Sequence, residues 1–340
     1  MPKGQRPTAK DVAELAGVSP AAVSYVVNGR GDRFSAATRD RVLAAVEQLG
    51  YVPDSAARGL RRRRTDQICL VLGSVGVPAT DVLVRQLNDE ADRRGYSVLS
   101  VLVDSAARAD RAFALLRRGI ADGALVSDPY NRMDQGRLAA LARNRLALVV
   151  MDNAVDPEGF DVVRTPEKRE CGIALDHLVE SGRRRIAFLG HDSDLRPGPQ
   201  GFAERLDAYV EAHARHGLPR DPRLLVPGAE DRTRSYWAVT GLLQLEEPPD
   251  AIFCASDRAA ISAVWAIRDA GRSVPFDVAV LGVGNLDEGL ITRPALSTVG
   301  QPRLDFTGAI ELLFDRLEAD EPPPGREAVI PWSFIRRGTT

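Results

Sequence analysis

The stretch Thr8-Ala-Lys-Asp-Val-Ala-Glu-Leu-Ala-Gly-Val-Ser-Pro-Ala-Ala-Val-Ser-Tyr-Val-Val-Asn28 constrains the fold of this chain more than any other. Two short helical patterns meet at a tight Gly17-Val18 turn. Val12, Ala13, Leu15 and Ala16 make an apolar face on the first, and Val23, Val26 and Val27 make one on the second. Thr8 can cap the first helix with Asp11 as its capping-box partner, and Ser19 can cap the second. Helices this short need a third to pack on. The next pattern supplies it, with Ser35 as cap, then Val42, Leu43, Val46 and Leu49 on one face, ended by Gly50. The pattern is that of a helix-turn-helix, whose second helix enters the DNA major groove.

A plain three-helix bundle would share this pattern, and charge separates the two readings. Residues 1–64 hold 12 Lys and Arg against 6 Asp and Glu, a net of +6. The whole chain carries −2, which leaves −8 for residues 65–340. A basic head on an acidic body is what attraction to phosphate requires, so double-stranded DNA is the expected partner.

At these residues the sequence resembles the lactose-repressor (LacI-type) family of bacterial transcription regulators. The matching pieces are Lys10 to Ser19, Val23-Ser24, Val26-Val27-Asn28-Gly29, and Thr38 to Tyr51 ending Leu49-Gly50-Tyr51. They continue through Pro53 to Ala57-Arg58-Gly59-Leu60, and a weaker resemblance runs to the last residues. It implies a three-helix head, a hinge helix, and a two-lobed body like that of periplasmic binding proteins.

The rest of the chain fits that organisation. After residue 65, short apolar runs (Ile68 to Leu72, Val98 to Val103, Ala124 to Val126, Ala147 to Met151, Arg185 to Leu189, Ala251 to Ala255, Val278 to Val283) alternate with helical patterns at 80–94, 106–119, 167–182, 200–216, 231–246 and 257–271. Continuous apolar strands covered by helices imply parallel sheets, and so many βα units favour two lobes with a cleft between them. The expected division is a head at 1–52, a hinge and basic linker at 53–65, and a body at 66–340. Its N-terminal lobe would take about 66–164 and 299–330, and its C-terminal lobe about 165–298 and 331–340. The resemblance implies three passages between lobes, near 164, 298 and 331.

Several classes are disfavoured. No apolar run reaches ~18 residues, so no membrane span is expected. The opening Met1-Pro-Lys-Gly-Gln-Arg lacks the apolar stretch of a secretion signal, which favours the cytoplasm and opposes a solute-binding protein of a transport system. Cys69, Cys171 and Cys254 lie far apart in apolar patterns and read as buried free thiols. His213 and His216, three apart on a helix, read as solvated residues rather than metal ligands. Gly282-Val-Gly284-Asn-Leu-Asp287 lacks the third glycine of a dinucleotide fingerprint and reads as a strand-to-loop turn. No Walker motif, nucleophile elbow or HExxH occurs, which opposes a nucleotide-dependent sugar enzyme on a similar body. No cofactor is implied.

The recognition helix presents Pro20, Ala21, Ser24 and Tyr25 to base edges. Many family members have an Arg where Tyr25 stands. Pro20 and Ala21 can only pack on thymine methyls or sugar, so reading of sequence falls on Ser24 and Tyr25. The alternative for Tyr25 is packing on the third helix. Thr8, Ser19, Asn28 and Ser35 are placed as phosphate contacts or caps. Asp54 can cap a hinge helix of about two turns, slim at Ala56 and Ala57, too short to be stable alone. The resemblance puts Leu60 where family members wedge a leucine into a minor-groove step, next to Arg61 to Arg64. Arg61 to Arg64 can equally be a solvated basic linker.

For the body, the resemblance implies a homodimer with a small-molecule effector held between the lobes. Arg205 matches the family's effector-binding arginine and Asp257 its acidic ligand residue, expected to face each other across the cleft. Ser74, Ser127, Glu230 and Asn285 complete the expected set. Departures are informative. Ser74-Val-Gly-Val-Pro-Ala-Thr80 carries no ring where the family has an Asp and an aromatic, Glu230 stands for an aromatic, and Gly284 for an Asp. Pro166-Glu167 replaces an Asp-Asn pair. The Arg and Asp suit a sugar-like or other polar metabolite, while the departures speak against a standard sugar platform and for a more polar or cationic one; a cationic or hydroxyl-bearing ligand group, or a neighbouring Arg, should meet Glu230.

Overall fold

The computed structural model describes residues 7–27, 31–51, 64–127, 134–195 and 203–340. Asn28, Ala57, Leu60 and Arg61, with the rest of the expected hinge helix, lie outside the described residues. The chain divides into two compact units, Met1–Thr65 and Asp66–Thr340.

In the first unit, α1 (Ala9–Ala16), α2 (Pro20–Val27) and α3 (Ala36–Leu49) surround a core of Val12, Ala13, Ala16, Val23, Val26, Val42 and Ala45. Local chemistry sets each boundary. Asp11 N–H donates to Thr8 Oγ1 at 3.4 Å and Thr8 N–H donates to Asp11 Oδ2 at 2.7 Å, closing a capping box. Gly17 (φ 65°) and Gly50 (φ 60°) end α1 and α3 in the left-handed region. Ala22 N–H donates to Ser19 Oγ at 3.2 Å, and Thr38 N–H to Ser35 Oγ at 3.3 Å. Two expected core positions are exposed, Leu15 at 48% and Leu43 at 52%. Each sits roughly 100° around its helix axis from the centre of the buried face, which the 3.6-residue period assigns to Val12, Ala13 and Ala16 on α1 and to Val42, Ala45 and Val46 on α3.

The second unit holds two six-stranded sheets. The N-terminal lobe has the order β11-β5-β4-β3-β1-β2, all pairs parallel. Its strands are β1 (Gln67–Leu72), β2 (Ser97–Leu102), β3 (Gly123–Ser127), β4 (Ala147–Met151), β5 (Asp161–Arg164) and β11 (Glu327–Val329). The side chains of β1 alternate. Ile68, Leu70 and Leu72 pack under α4 (Pro78–Arg94) and α12 (Thr307–Glu318), while Cys69 and Val71 pack under α5 (Ala106–Arg117) and α6 (Gln135–Arg143). Burial on both faces is why the run reads as continuously apolar.

The C-terminal lobe has the order β12-β10-β9-β8-β6-β7. It comprises α7 (Glu167–Glu180), β6 (Ile186–Gly190), α8 (Glu204–Arg215), β7 (Leu225–Pro227), α9 (Arg232–Leu243), β8 (Ala251–Cys254), α10 (Asp257–Asp269), β9 (Ala279–Val283), α11 (Glu288–Ile291), β10 (Ser297–Gly300) and β12 (Ser333–Ile335). The β10–β12 pair is antiparallel, so this sheet is parallel except at one edge. The chain passes between sheets after Arg164, after Gly300 and after Val329. The second passage lies beyond the expected 298, because Thr298 and Val299 are paired with β9.

Among the buried side chains the cysteines match the sequence reading, His213 departs from it and Asp161 extends it. Cys69, Cys171 and Cys254 are free and buried. His213 is not solvated: it is buried, its ring 4.0 Å from that of Tyr209, and burial holds it below the usual histidine range. Helical spacing could not reveal this, because α8 turns that face onto β6. Asp161, fully buried at the start of β5, meets Arg316 Nη1 at 2.7 Å and Arg326 Nη2 at 2.7 Å. Among the described residues no helix is long and apolar enough to cross a membrane.

Candidate nucleic-acid interface and effector cleft

On the head, Ser19, Pro20, Ala21, Ser24 and Tyr25 form a continuous exposed edge, while Ala22, Val23 and Val26 turn inward. Pro20 occupies the first helical position, where its missing N–H costs nothing. Tyr25 is 41% exposed. Its ring centroid lies 6.3 Å from that of Phe34, in the segment before α3, so the ring leans on a neighbour while staying partly exposed. Thr8 and Ser35 are exposed helix caps, each already engaged by its own helix terminus.

In the body, the expected effector residues separate into two groups. Ser127 ends β3 opposite Leu72, and Gly73 N–H donates to its carbonyl at 3.0 Å, so Ser127 and the segment that begins at Ser74 both lie at the carboxyl ends of the N-terminal lobe's strands. Arg205 and Asp257 do not face each other across the cleft. Both belong to the C-terminal lobe, at the starts of α8 and α10. Arg205 donates from Nε to Glu167 Oε1 and from Nη1 to the Ala255 carbonyl, and burial offset by Glu167 and Asp194 keeps it firmly protonated.

Asp257 is fully buried, and its oxygens are taken by the protein. Leu286 N–H donates to Oδ2 at 2.7 Å and Thr298 Oγ1 donates to Oδ1 at 2.6 Å. Burial pushes its carboxyl up to about 6, against the pull of those donors and of Arg337 and Arg205. Asn285 is likewise engaged. Its Nδ2 donates to the Gln301 carbonyl at 2.7 Å, and its Oδ1 accepts from Arg337 Nη2 at 2.6 Å. Both residues therefore brace the turn after β9 and the second lobe passage, a role that matching a single acidic position could not reveal. The end of β9 and the turn after it demand glycine. A Cβ on Gly282 would stand 2.2 Å from Asp257 Oδ1, and Gly284 has φ 128°. Gly282→Ala is expected to destabilise the body by about 1–3 kcal/mol through this overlap. Urea unfolding with an unchanged midpoint would show that the carboxylate can move aside.

Glu230 is exposed. It accepts from Asp192 N–H and lies 3.8 Å from Arg234 Nη1, while Arg234 pairs with Asp192 at 3.0 Å. An arginine does lie beside it, but Glu230 is exposed, so the cost of burial that called for a partner does not arise. Residues that sequence reasoning did not single out complete this end of the lobe. His191 Nδ1 lies 2.9 Å from Asp194 Oδ2, and Asn153 Nδ2 donates to Glu204 Oε2 at 2.9 Å and to Thr165 Oγ1 at 3.1 Å. The Asn153–Glu204 bond joins the loop after β4 to α8, one lobe to the other. No motif flags it, since its members are 51 apart in sequence. Among the described residues no cluster suited to a metal ion occurs.

A capped helix-turn-helix ahead of two βα lobes joined by three passages defines the two-lobed DNA-binding transcription regulators. The chain belongs to the lacI family of bacterial regulatory proteins. Residues 8–54 match the model of the lacI-family domain and residues 175–340 that of the periplasmic binding protein-like domain. It is 31% identical over 344 residues to the HTH-type transcriptional regulator CelR of Thermobifida fusca, covering 96% of each chain. It is 30% identical to the HTH-type transcriptional repressor PurR of Aliivibrio fischeri (strain MJ11), covering 92% of each. These relatives are transcription regulators, not enzymes. The structure of a CelR–cellobiose complex matches with a TM-score of 0.65 at 29% identity, over 98% of this chain and 100% of that one. The lac repressor dimer bound to operator shares the fold, with a TM-score of 0.72 at 24% identity over 99% of each chain.

Proposed function

We propose that this regulator binds a pseudo-palindromic operator as a homodimer in the cytoplasm, acting as a repressor, and that a polar metabolite held between its lobes changes that binding. The observation that carries the DNA reading is the exposed edge of α2 on a basic unit, with base contacts assigned to Ser24 and Tyr25 and positioning contacts to Thr8, Ser19, Pro20, Ala21, Asn28 and Ser35. A recognition helix reads only a half-site, so two copies are needed. Ala57, Leu60 and Arg61 are assigned to the hinge contact in the minor groove. For the effector, Ser74 and Ser127 on one lobe and Arg205 and Glu230 on the other supply the polar lining, while Asp257 and Asn285 hold the turn behind it. Ligand binding alters operator affinity because lobe geometry couples the two sites.

Tyr25 supplies the test. Tyr25→Ala is expected to relax base preference at one position per half-site by about 1–3 kcal/mol, and Tyr25→Arg to shift that preference toward guanine, whose O6 and N7 accept a guanidinium fork. Selection from a randomised operator pool by the full-length proteins reads both. One consensus for all three proteins would place Tyr25 in packing against Phe34 instead.

A further inference from the structure

Among the described residues, Glu204 at the cleft end of the C-terminal lobe forms no ion pair. Glu204 opens α8 beside Arg205 and is half-buried. Its hydrogen bonds come from neutral donors, the Asn153 amide at 2.9 Å and the Lys168 backbone N–H. The nearby described cations each pair with another carboxylate, although the Lys168 charge also reaches Glu204. Lys168 Nζ lies 2.7 Å from Glu211, and Arg205 Nε is on Glu167. Arg164 is on Glu327 at 2.8 Å and Asp156 at 3.3 Å, and His191 is on Asp194. The remaining charged neighbours of Glu204 are carboxylates, Glu167 and Asp152, which together with burial push its carboxyl above the ordinary range. A half-buried carboxylate among like charges is unfavourable unless a cation arrives.

The position is functional ground on independent counts. Asp152 and Asn153 follow the carboxyl end of β4, Asp194 follows β6, and Glu167 follows the first lobe passage. Ligands in parallel βα folds bind beyond the carboxyl ends of strands. The segment after β1, Ser74-Val-Gly-Val-Pro78, offers no ring on which a neutral sugar or base could stack.

We infer that the effector carries a protonated nitrogen, an alkylammonium or amidinium group, that docks on Glu204 with Glu167 and Asp152 beside it, and that Glu204 sets this specificity. The inference rests on the reading of the cleft as an effector site. Because Glu204 also holds Asn153 of the other lobe, a cation at its carboxylate acts directly on a contact between lobes.

The test uses the full-length protein with a panel of neutral sugars (glucose, ribose, cellobiose), glucosamine, putrescine, agmatine, arginine, hypoxanthine and sugar phosphates. Binding is scored by thermal shift and calorimetry, then by change in operator affinity. Glu204→Gln keeps an acceptor for Asn153 and removes the charge, and Glu204→Asp keeps the charge. Glu211→Gln, an exposed acid on the same helix, is the control. The expected result is a cationic binder weakened about ten- to a hundredfold by Glu204→Gln, and far less by Glu204→Asp or Glu211→Gln. A neutral or anionic compound as the strongest binder, or unchanged affinity in Glu204→Gln, overturns the inference and leaves the cleft an effector site. No binder, with operator affinity unmoved by every compound, overturns the effector reading and this inference with it.

Discussion

A chain reduced to residues 66–340 is expected to keep its fold and to lose specific operator binding by a factor of 10³ or more. The division between compact units falls between Thr65 and Asp66, so the cut leaves the second unit whole. The sheets, their helices and all three lobe passages remain in the fragment. What leaves is the net +6 of the head, its recognition edge and the segment carrying Leu60 and Arg61; what stays has a net of −8. Such a body repels the duplex, so even sequence-independent binding, at a Kd of about 10⁻⁴–10⁻⁶ M for DNA-binding proteins in general, should disappear. Fluorescence anisotropy against salt reads both parts. For the full chain the logarithm of affinity should fall linearly with that of salt, at a slope of about −0.9 per phosphate neutralised. A fragment that retained specific binding would move the DNA site into the body.

The head was the most legible part of the sequence, because its signals are local. The Thr8–Asp11 box, the Gly17 and Gly50 caps and the Ser35 cap each involve residues within a few positions of one another. Leu15 and Leu43 misled because apolar residues flanking a helix stripe look like part of it when the stripe is only two or three residues wide. In the body, long apolar strands such as β1 and β4 declared themselves, whereas β7, β11 and β12, each three residues long, did not. Strands that short carry no period to read, and pairing partners far along the chain decide them. The site was legible in position more than in role. Arg205 and Asp257 do lie near one another in one lobe, but Asp257 is closed off by Leu286 and Thr298, 29 and 41 residues away. Glu204 is adjacent to Arg205 in sequence, yet its contact with Asn153 exists only because the lobes meet there.

Removing Asp161 is expected to cost the body about 3–5 kcal/mol, more than any other single substitution argued above. Its two oxygens receive Arg316 Nη1 at 2.7 Å, Arg326 Nη2 at 2.7 Å and the Arg326 backbone N–H at 2.8 Å. Arg316 is itself buried on α12, and it also donates to the carbonyls of Gly159 and Pro323. In Asp161→Ala the guanidinium stays out of water with carbonyl acceptors but no counter-charge, and an uncompensated buried cation is the expensive case. The loss is a large fraction of the roughly 5–15 kcal/mol that holds a typical domain folded, so the midpoint should drop by roughly 5–15 °C in calorimetry. The pair can be separated from its charge. Asp161→Leu with Arg316→Met should recover much of the loss, since matched apolar groups in place of a buried ion pair are often neutral in cost. Equal destabilisation by the single and double variants would mean that volume at this site matters and charge does not. The network also ties β5, α12 and β11, the elements next to the lobe passages after Arg164, Gly300 and Val329. A variant loosened here should therefore weaken the effect of a cleft ligand on operator affinity at temperatures where the protein is still folded, because the lobe that must move as one body would no longer do so.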